Sequence, residues 1–154
     1  MTMGRTTALA FIGALAGIGL SGCKPNSRPP SSSNWTKLRA ISICPQYVKS
    51  NDDLSGPTEI KTDVSIEDIG DLNQFAAITK SLEGSWEELD GAIGALPLLT
   101  FEATRNSGET EYFMVIGGNH ILHSGWLARL SGEQSQFFRT LAQRAFEQHN
   151  NNRQ

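Results

Sequence analysis

Cysteine is scarce in this chain of 154 residues, which has only Cys23 and Cys44. Two cysteines can close one disulfide at most, so a scaffold held together by several disulfides is excluded. Long apolar runs are also lacking. The apolar run at residues 8–20 is rich in Gly and Ala, and it is well short of the ~20 residues that a helix needs to cross a bilayer. The sequence therefore predicts no permanent membrane span.

Motifs that carry chemistry are lacking as well. The sequence has no Gly-x-Ser-x-Gly nucleophile motif, no P-loop and no dinucleotide-binding glycine fingerprint. His120 and His123 form His-x-x-His, but their context predicts a strand, in which residues three apart point to opposite faces. Without a third ligand nearby, this pair does not predict a metal site. We expect neither a cofactor nor a bound metal.

The amino-terminal region carries the most specific signal. One positive charge, Arg5, precedes the apolar run, and the run ends in Leu20, Ser21, Gly22 and Cys23. This order is similar to the signal peptide of bacterial lipoproteins. The resemblance implies cleavage before Cys23, attachment of diacylglycerol to its thiol and acylation of the new amino terminus. An ordinary secretory signal that happens to precede a cysteine is the alternative.

The resemblance also predicts where in the cell the protein is located. Two or more acyl chains hold a protein stably on a membrane, so the lipid bilayer is the first expected partner, through acylated Cys23. Lys24 in the next position resembles lipoproteins that are sent to the outer membrane of Gram-negative cells. We therefore expect a protein of the cell envelope, anchored in the outer membrane and facing the periplasm.

Composition divides the chain into three parts. Residues 1–22 form the predicted signal peptide. Residues 23–35 are rich in Pro and Ser, which is typical of an extended tether. Residues 36–154 are long enough for one small domain and too short for two.

Hydrophobic alternation predicts most of the strands in that domain. The candidate strands are residues 38–44, 58–64, 98–104, 111–116 and 120–122. The continuous apolar run at residues 112–116 predicts a central strand covered on both faces. Residues 85–97 are expected to form a long connection with one helical turn.

Two helices are predicted from capping patterns. The first has two candidate starts, Ser65 with Asp68 or Asp71 with Gln74, and Gly84 is its natural stop. The second begins at the capping box of Ser131 and Gln134. Its apolar stripe consists of Phe137, Phe138, Leu141, Ala142 and Ala145.

These elements predict an α+β domain with a mostly antiparallel sheet of about four to five strands and two helices packed on one face. Helices on one face leave the other face, or a sheet edge, available for binding.

Charge is distributed unevenly along the chain, whose net charge is -3. Residues 23–51 hold five basic residues and no acid, whereas residues 52–90 hold eleven acids against Lys61 and Lys80. This acidic region predicts a possible surface for a cationic partner, and a merely solvated face is the alternative. The residues of that possible surface are Asp63, Glu67, Asp68, Asp71, Glu87 and Glu88. An acidic, exported domain disfavours binding to nucleic acid.

The function predicted from these features is a non-enzymatic protein-binding module of the envelope. It would act as an inhibitor or immunity-type lipoprotein, or as an accessory subunit of an envelope complex. One alternative is a small hydrolase that uses the Cys44 thiol or a histidine, although Cys44 at the end of an apolar run is expected to be buried. The other is a lipoprotein that binds a small ligand, which would require a sizeable cavity.

The lipid anchor makes a first prediction. The substitution Cys23→Ala removes the acylated thiol, so the protein should move from the membrane fraction to the soluble fraction. Fractionation of cells and labelling with radioactive palmitate measure the change, and Cys44→Ala is the matched control that should stay on the membrane. A Cys23→Ala protein that still sediments with membranes would contradict the lipoprotein hypothesis.

Overall fold

The computed structural model describes residues 29–31, 34–48 and 59–154. The predicted signal peptide, the motif Leu20-Ser21-Gly22, the lipidation site Cys23 and the neighbouring Lys24 lie outside the described residues. The described strands are β1 (Trp35–Ile43), β2 (Ile60–Ile66), β3 (Glu87–Glu88), β4 (Pro97–Arg105), β5 (Thr110–Ile116), β6 (His120–His123) and β7 (Trp126–Arg129). The helices are α1 (Ile69–Ser81) and α2 (Gly132–Asn151), and a single 3₁₀ turn, Pro45–Tyr47, follows β1.

The seven strands form one antiparallel sheet in the order β2-β1-β4-β5-β6-β7-β3. The predicted α+β class, with an antiparallel sheet and two helices, is confirmed. The predicted number of four to five strands was wrong, because β3 and β7 were not recognised. Strand β3 has two residues, Glu87 and Glu88, and so short an element has no hydrophobic alternation that a sequence could reveal.

The turn before β7 explains why that strand escaped prediction. Ser124 and Gly125 connect the paired residues His123 and Trp126, and both turn residues have a positive φ, 46° and 85°. Two positive φ angles define a tight hairpin turn of the type that Asn-Gly usually forms. Serine is rarely found in this conformation, so the sequence did not predict a hairpin here.

Capping decides where both helices begin. At α1, the Asp68 side chain accepts hydrogen bonds from the backbone N–H groups of Gly70 and Asp71. Both predicted starts of this helix were therefore wrong, since Asp68 itself is the cap, and Ser65 still belongs to β2. At α2, the predicted capping box of Ser131 and Gln134 is confirmed, with both of its hydrogen bonds present.

A cluster of aromatic rings forms the centre of the core. The Phe75 ring of α1 lies 5.3 Å from each of the rings of Trp35, Phe101 and Phe113 and 6.2 Å from that of Phe138 on α2. Phe101 on β4 also contacts Phe138, at 5.8 Å. Because one sheet residue contacts both helices, α1 and α2 cover the same face of the sheet.

Neither of the two described helices lies over the opposite face. Along β5, Phe113 and Val115 are buried, whereas Tyr112 is 59% exposed and Met114 is 39% exposed. The expectation that this strand would be covered on both faces was wrong for Tyr112 and Met114, whereas Ile116 on their face is buried. A continuous apolar run is typical of a strand that is buried on both faces. In this strand, however, every second side chain points away from the core.

None of the described helices is both long and apolar enough to cross a membrane.

The aromatic cluster predicts a large effect of one substitution. Phe75→Ala should lower the free energy of unfolding by about 3–5 kcal/mol, because it opens a cavity among four packed rings. Ile69→Ala in the same helix is the control, since Ile69 is 75% exposed and its loss should change stability by less than about 0.5 kcal/mol. Urea denaturation of both variants measures the difference, and similar midpoints would contradict this account of the core.

Candidate functional site

The helix-free side of the sheet, called the open face below, is the candidate functional site. Directly paired residues in a sheet carry their side chains on the same face. The pairings therefore define one row of side chains that crosses all seven strands on the open face, and we call it the central row. In spatial order the central row consists of Lys61, Ser42, Thr100, Met114, Leu122, Leu127 and Glu87.

The central row is apolar in its middle and charged at its ends. Met114 occupies the fourth of the seven positions and is partly exposed, and Leu122 and Leu127 beside it are half-buried. Ser42 is buried. Lys61 and Glu87 are exposed, and neither forms an ion pair with another residue in the described part of the chain.

A polar network lies next to the central row on four adjacent strands. Arg39 Nε donates to Asp63 Oδ1 at 2.6 Å, and Arg39 Nη1 donates to Glu102 Oε2 at 3.2 Å. Tyr112 on β5 is the direct cross-strand partner of Glu102, so its side chain lies beside the same carboxylate. Asp63, Arg39, Glu102 and Tyr112 thus form a continuous chain of contacts from β2 to β5, called the Arg39 network below.

The Arg39 network changes the acidity of its members. The hydrogen bond and positive charge of Arg39 lower the pKa of Asp63 below its ordinary value. The carboxylates of Asp63 and Glu102 raise the pKa of Arg39, and Asp63 has the larger effect. The hydrogen bond to Glu102, followed by the charge of that carboxylate, raises the pKa of Tyr112. The network therefore favours the ionised form of Asp63 and the protonated form of Tyr112.

The six acids predicted as a partner-binding surface do not come together. Asp63 pairs with Arg39, and Glu67 lies 3.6 Å from Lys37 Nζ near the same sheet edge. Asp68 caps α1. The remaining three are Asp71, Glu87 and Glu88.

Asp71 is buried between the helices, where it accepts a 2.7 Å hydrogen bond from Arg144 Nη2. This hydrogen bond raises the pKa of Arg144. Glu87 and Glu88 lie on β3, at the edge of the sheet opposite to β2. A binding role for the exposed acids stays a prediction, but they do not form one continuous acidic surface.

His123 belongs to a buried cluster beside the start of β1. Its Nδ1–H donates to the backbone carbonyl of Tyr112 at 2.9 Å, and its Nε2 lies 3.3 Å from Glu111 Oε2. Arg105 pairs with the same Glu111 and lies over the Trp35 ring. Both ring nitrogens of this buried imidazole are therefore in contact with protein oxygens.

Cys44 is not near either histidine. It is buried directly after the last residue of β1, whereas His123 lies on β6, three strands away in the sheet. His120 lies on β6, three strands from β1, or about 14 Å at the usual strand spacing. The predicted pairing of the Cys44 thiol with a histidine is therefore absent from the described residues.

Surface hollows of about 450–540 Å³ are present in the described part of the chain. The hollow beside Arg105 and His123 is also lined by Pro29, Pro30 and Ser31, so the predicted tether lies against the domain over these three residues. Charged side chains line each hollow, whereas ligand pockets are lined mainly by apolar ones. Within the described ranges, no group of three His, Cys, Asp or Glu residues is placed to hold a metal ion.

Comparison with protein families, with curated proteins and with solved structures found no match to this chain.

Tyr112 provides a direct test of the Arg39 network. Glu102→Gln removes the carboxylate and should lower the Tyr112 pKa towards 10.0, its ordinary value. Ultraviolet titration of the phenol measures this pKa, and Tyr47→Phe in both proteins leaves Tyr112 as the only tyrosine.

Linkage gives the sign of the pH effect. The Tyr112 pKa is raised in the folded state, so its contribution to stability is fully present below pH 10 and is lost as the pH rises through the folded pKa. Glu102→Gln should therefore reduce the loss of stability above pH 10. An unchanged Tyr112 pKa in Glu102→Gln would contradict the effect of the Glu102 carboxylate on the phenol.

Proposed function

We propose that the protein is a lipid-anchored protein of the bacterial cell envelope that binds another protein through the open face and catalyses no reaction. The observation that carries this proposal is the exposure of Tyr112 and Met114 on the middle strand of the sheet. Both side chains point away from the core, so burial in the monomer does not account for them.

The composition of the open face favours a protein as the bound molecule. Tyr and Met are enriched at protein interfaces, where an apolar centre is surrounded by a polar rim. Met114, Leu122 and Leu127 supply such a centre, and the Arg39 network lies beside it. Tyr112 lies directly across from Glu102 of that network.

The chain between the predicted anchor and the domain limits where the open face can act. Five residues lie between Cys23 and Pro29, and the six residue steps from one to the other span at most about 20 Å. Pro29 lies against the end of the sheet where β5 begins. The open face would then work close to the membrane, as expected of an inhibitor or an accessory subunit of an envelope complex.

The alternative functions have less support. A thiol- or histidine-dependent hydrolase would require a nucleophile next to a base, and Cys44 follows β1 whereas His120 and His123 lie on β6, three strands away. A small-ligand-binding lipoprotein would require an apolar cavity, and charged groups line the described hollows.

Site-specific cross-linking tests the proposal in living cells. A photoreactive phenylalanine analogue at position 114 of the full-length chain should form a discrete protein adduct after irradiation. The same analogue at Gln143, which is exposed on α2 on the other side of the domain, should form none. Electrophoresis of the membrane fraction reveals the adducts. No adduct from position 114, or equal adducts from both positions, would contradict binding through the open face.

A further inference from the structure

We infer that the protein bound to the open face is a second copy of this chain, related to the first by a two-fold axis parallel to the strands. The inference depends on the proposed use of the open face and replaces an unidentified partner with a specific one. It is based on the order of charges along the central row, on the position of Met114 and on the position of the amino terminus.

The central row is complementary to itself. It begins with Lys61 on β2 and ends with Glu87 on β3, the two outermost strands, and these charged ends are free of ion pairs within the described ranges. The six spacings between its seven members cover about 29 Å. A second row laid against it in the reverse direction would place each Lys61 opposite a Glu87 of the other copy.

Only one orientation of the two-fold axis reverses the row. Two sheets that face each other can be related by an axis in the interface that runs either along the strands or across them. An axis along the strands exchanges the β2 edge with the β3 edge, so unlike charges meet. An axis across the strands places β2 opposite β2 and Lys61 opposite Lys61, and such like-charge contacts are unfavourable. The charges therefore select the axis along the strands.

A second pair of charges supports the same axis. Arg129 on β7 is exposed and is paired with His120 on β6. This pair belongs to the row of side chains next to the central row. Arg129 lies towards the β3 edge, as Glu87 does in the central row. Glu59 is exposed and directly precedes β2, two residues before Lys61. The negative Glu59 is thus on the β2 side and the positive Arg129 on the β3 side, the reverse of Lys61 and Glu87. The axis along the strands therefore also brings Arg129 of one copy near Glu59 of the other.

The two-fold axis passes beside β5, the strand that carries the exposed apolar side chains. Met114 is the middle member of the central row, so it meets Met114 of the second copy. Tyr112 lies on the same strand and the same face, two residues closer to the hairpin turn. The two exposed side chains of β5 are thus placed at the centre of a symmetric interface, where residues that dominate binding are usually found.

The predicted lipid anchor is compatible with this axis and not with the other. Pro29, Pro30 and Ser31 lie at the end of the sheet where β1 begins and β4 ends. An axis along the strands keeps that end of both copies on the same side, so both acylated chains could enter one membrane. An axis across the strands would place the two amino termini at opposite ends of the dimer.

Cysteine cross-linking distinguishes the two axes. The full-length chain is expressed with either Lys61→Cys or Glu87→Cys, and membranes are treated with a short bismaleimide. A chain with Lys61→Cys co-expressed with a chain carrying Glu87→Cys should give a cross-linked dimer, whereas either chain alone should not. Cross-linking of Lys61→Cys to itself would overturn the axis along the strands. Cys44 is present in every variant but buried, and the unsubstituted chain measures its background.

Charge reversal tests the same contact without cross-linking. Lys61→Glu converts two symmetric attractive contacts into repulsive ones, so the dissociation constant of the dimer should rise about tenfold. Glu87→Lys should have a similar effect, and the combination of both substitutions should restore affinity. Lys80→Glu, an exposed change on α1, is the control and should have no effect. Analytical ultracentrifugation of the purified lipoprotein in detergent gives each constant.

The possible results separate this inference from the proposed function. A dimer that is weakened by each reversal and restored by the combination supports both. A monomer at all concentrations, with a different protein cross-linked from position 114, overturns the second copy but supports protein binding by the open face. A monomer without any adduct from position 114 contradicts both.

Discussion

The fold depends on the packing of Phe75 against the sheet. Its ring contacts Trp35, Phe101 and Phe113, and through Phe138 it also connects α1 to α2. Both helices must lie on the face that carries these rings, because each supplies one member of the cluster. This single constraint leaves the other face without a helix, and every binding property proposed for the protein comes from that uncovered face.

Strand register then determines what the uncovered face presents. Antiparallel pairing places residues from distant parts of the sequence in one row, so that Lys61, Met114 and Glu87 become members of the same surface. The bulge between Ala40 and Ser42 is part of this arrangement. It shifts β1 by one residue, which allows Arg39 to pair with Glu102 while Ser42 pairs with Thr100. A shift of one residue elsewhere would turn the side chains of a strand to the opposite face.

Local patterns allowed correct predictions where contacts are local. The capping box at Ser131 depends on a residue three positions away, and the strands around Phe101 and Phe113 alternate over short windows. The start of α1 was missed because three successive candidates, Ser65, Asp68 and Asp71, all have capping side chains. The open face could not be predicted in detail, because its rows depend on pairing between strands. The exposure of Tyr112 and Met114 was hidden within a run that local hydrophobicity alone assigns to the core.

The acidic middle of the chain shows why charge along a sequence differs from charge on a surface. Asp63, Glu67 and Asp71 belong to the same acidic segment, but Arg39, Lys37 and Arg144 come from elsewhere in the chain and pair with them. Pairing removes these acids from the set that could attract a cationic partner. The charges that remain free on the open face include one of each sign at the ends of the central row. A face with free charges of both signs and an apolar centre is suited to a partner with the same pattern in reverse order, which a two-fold related copy supplies.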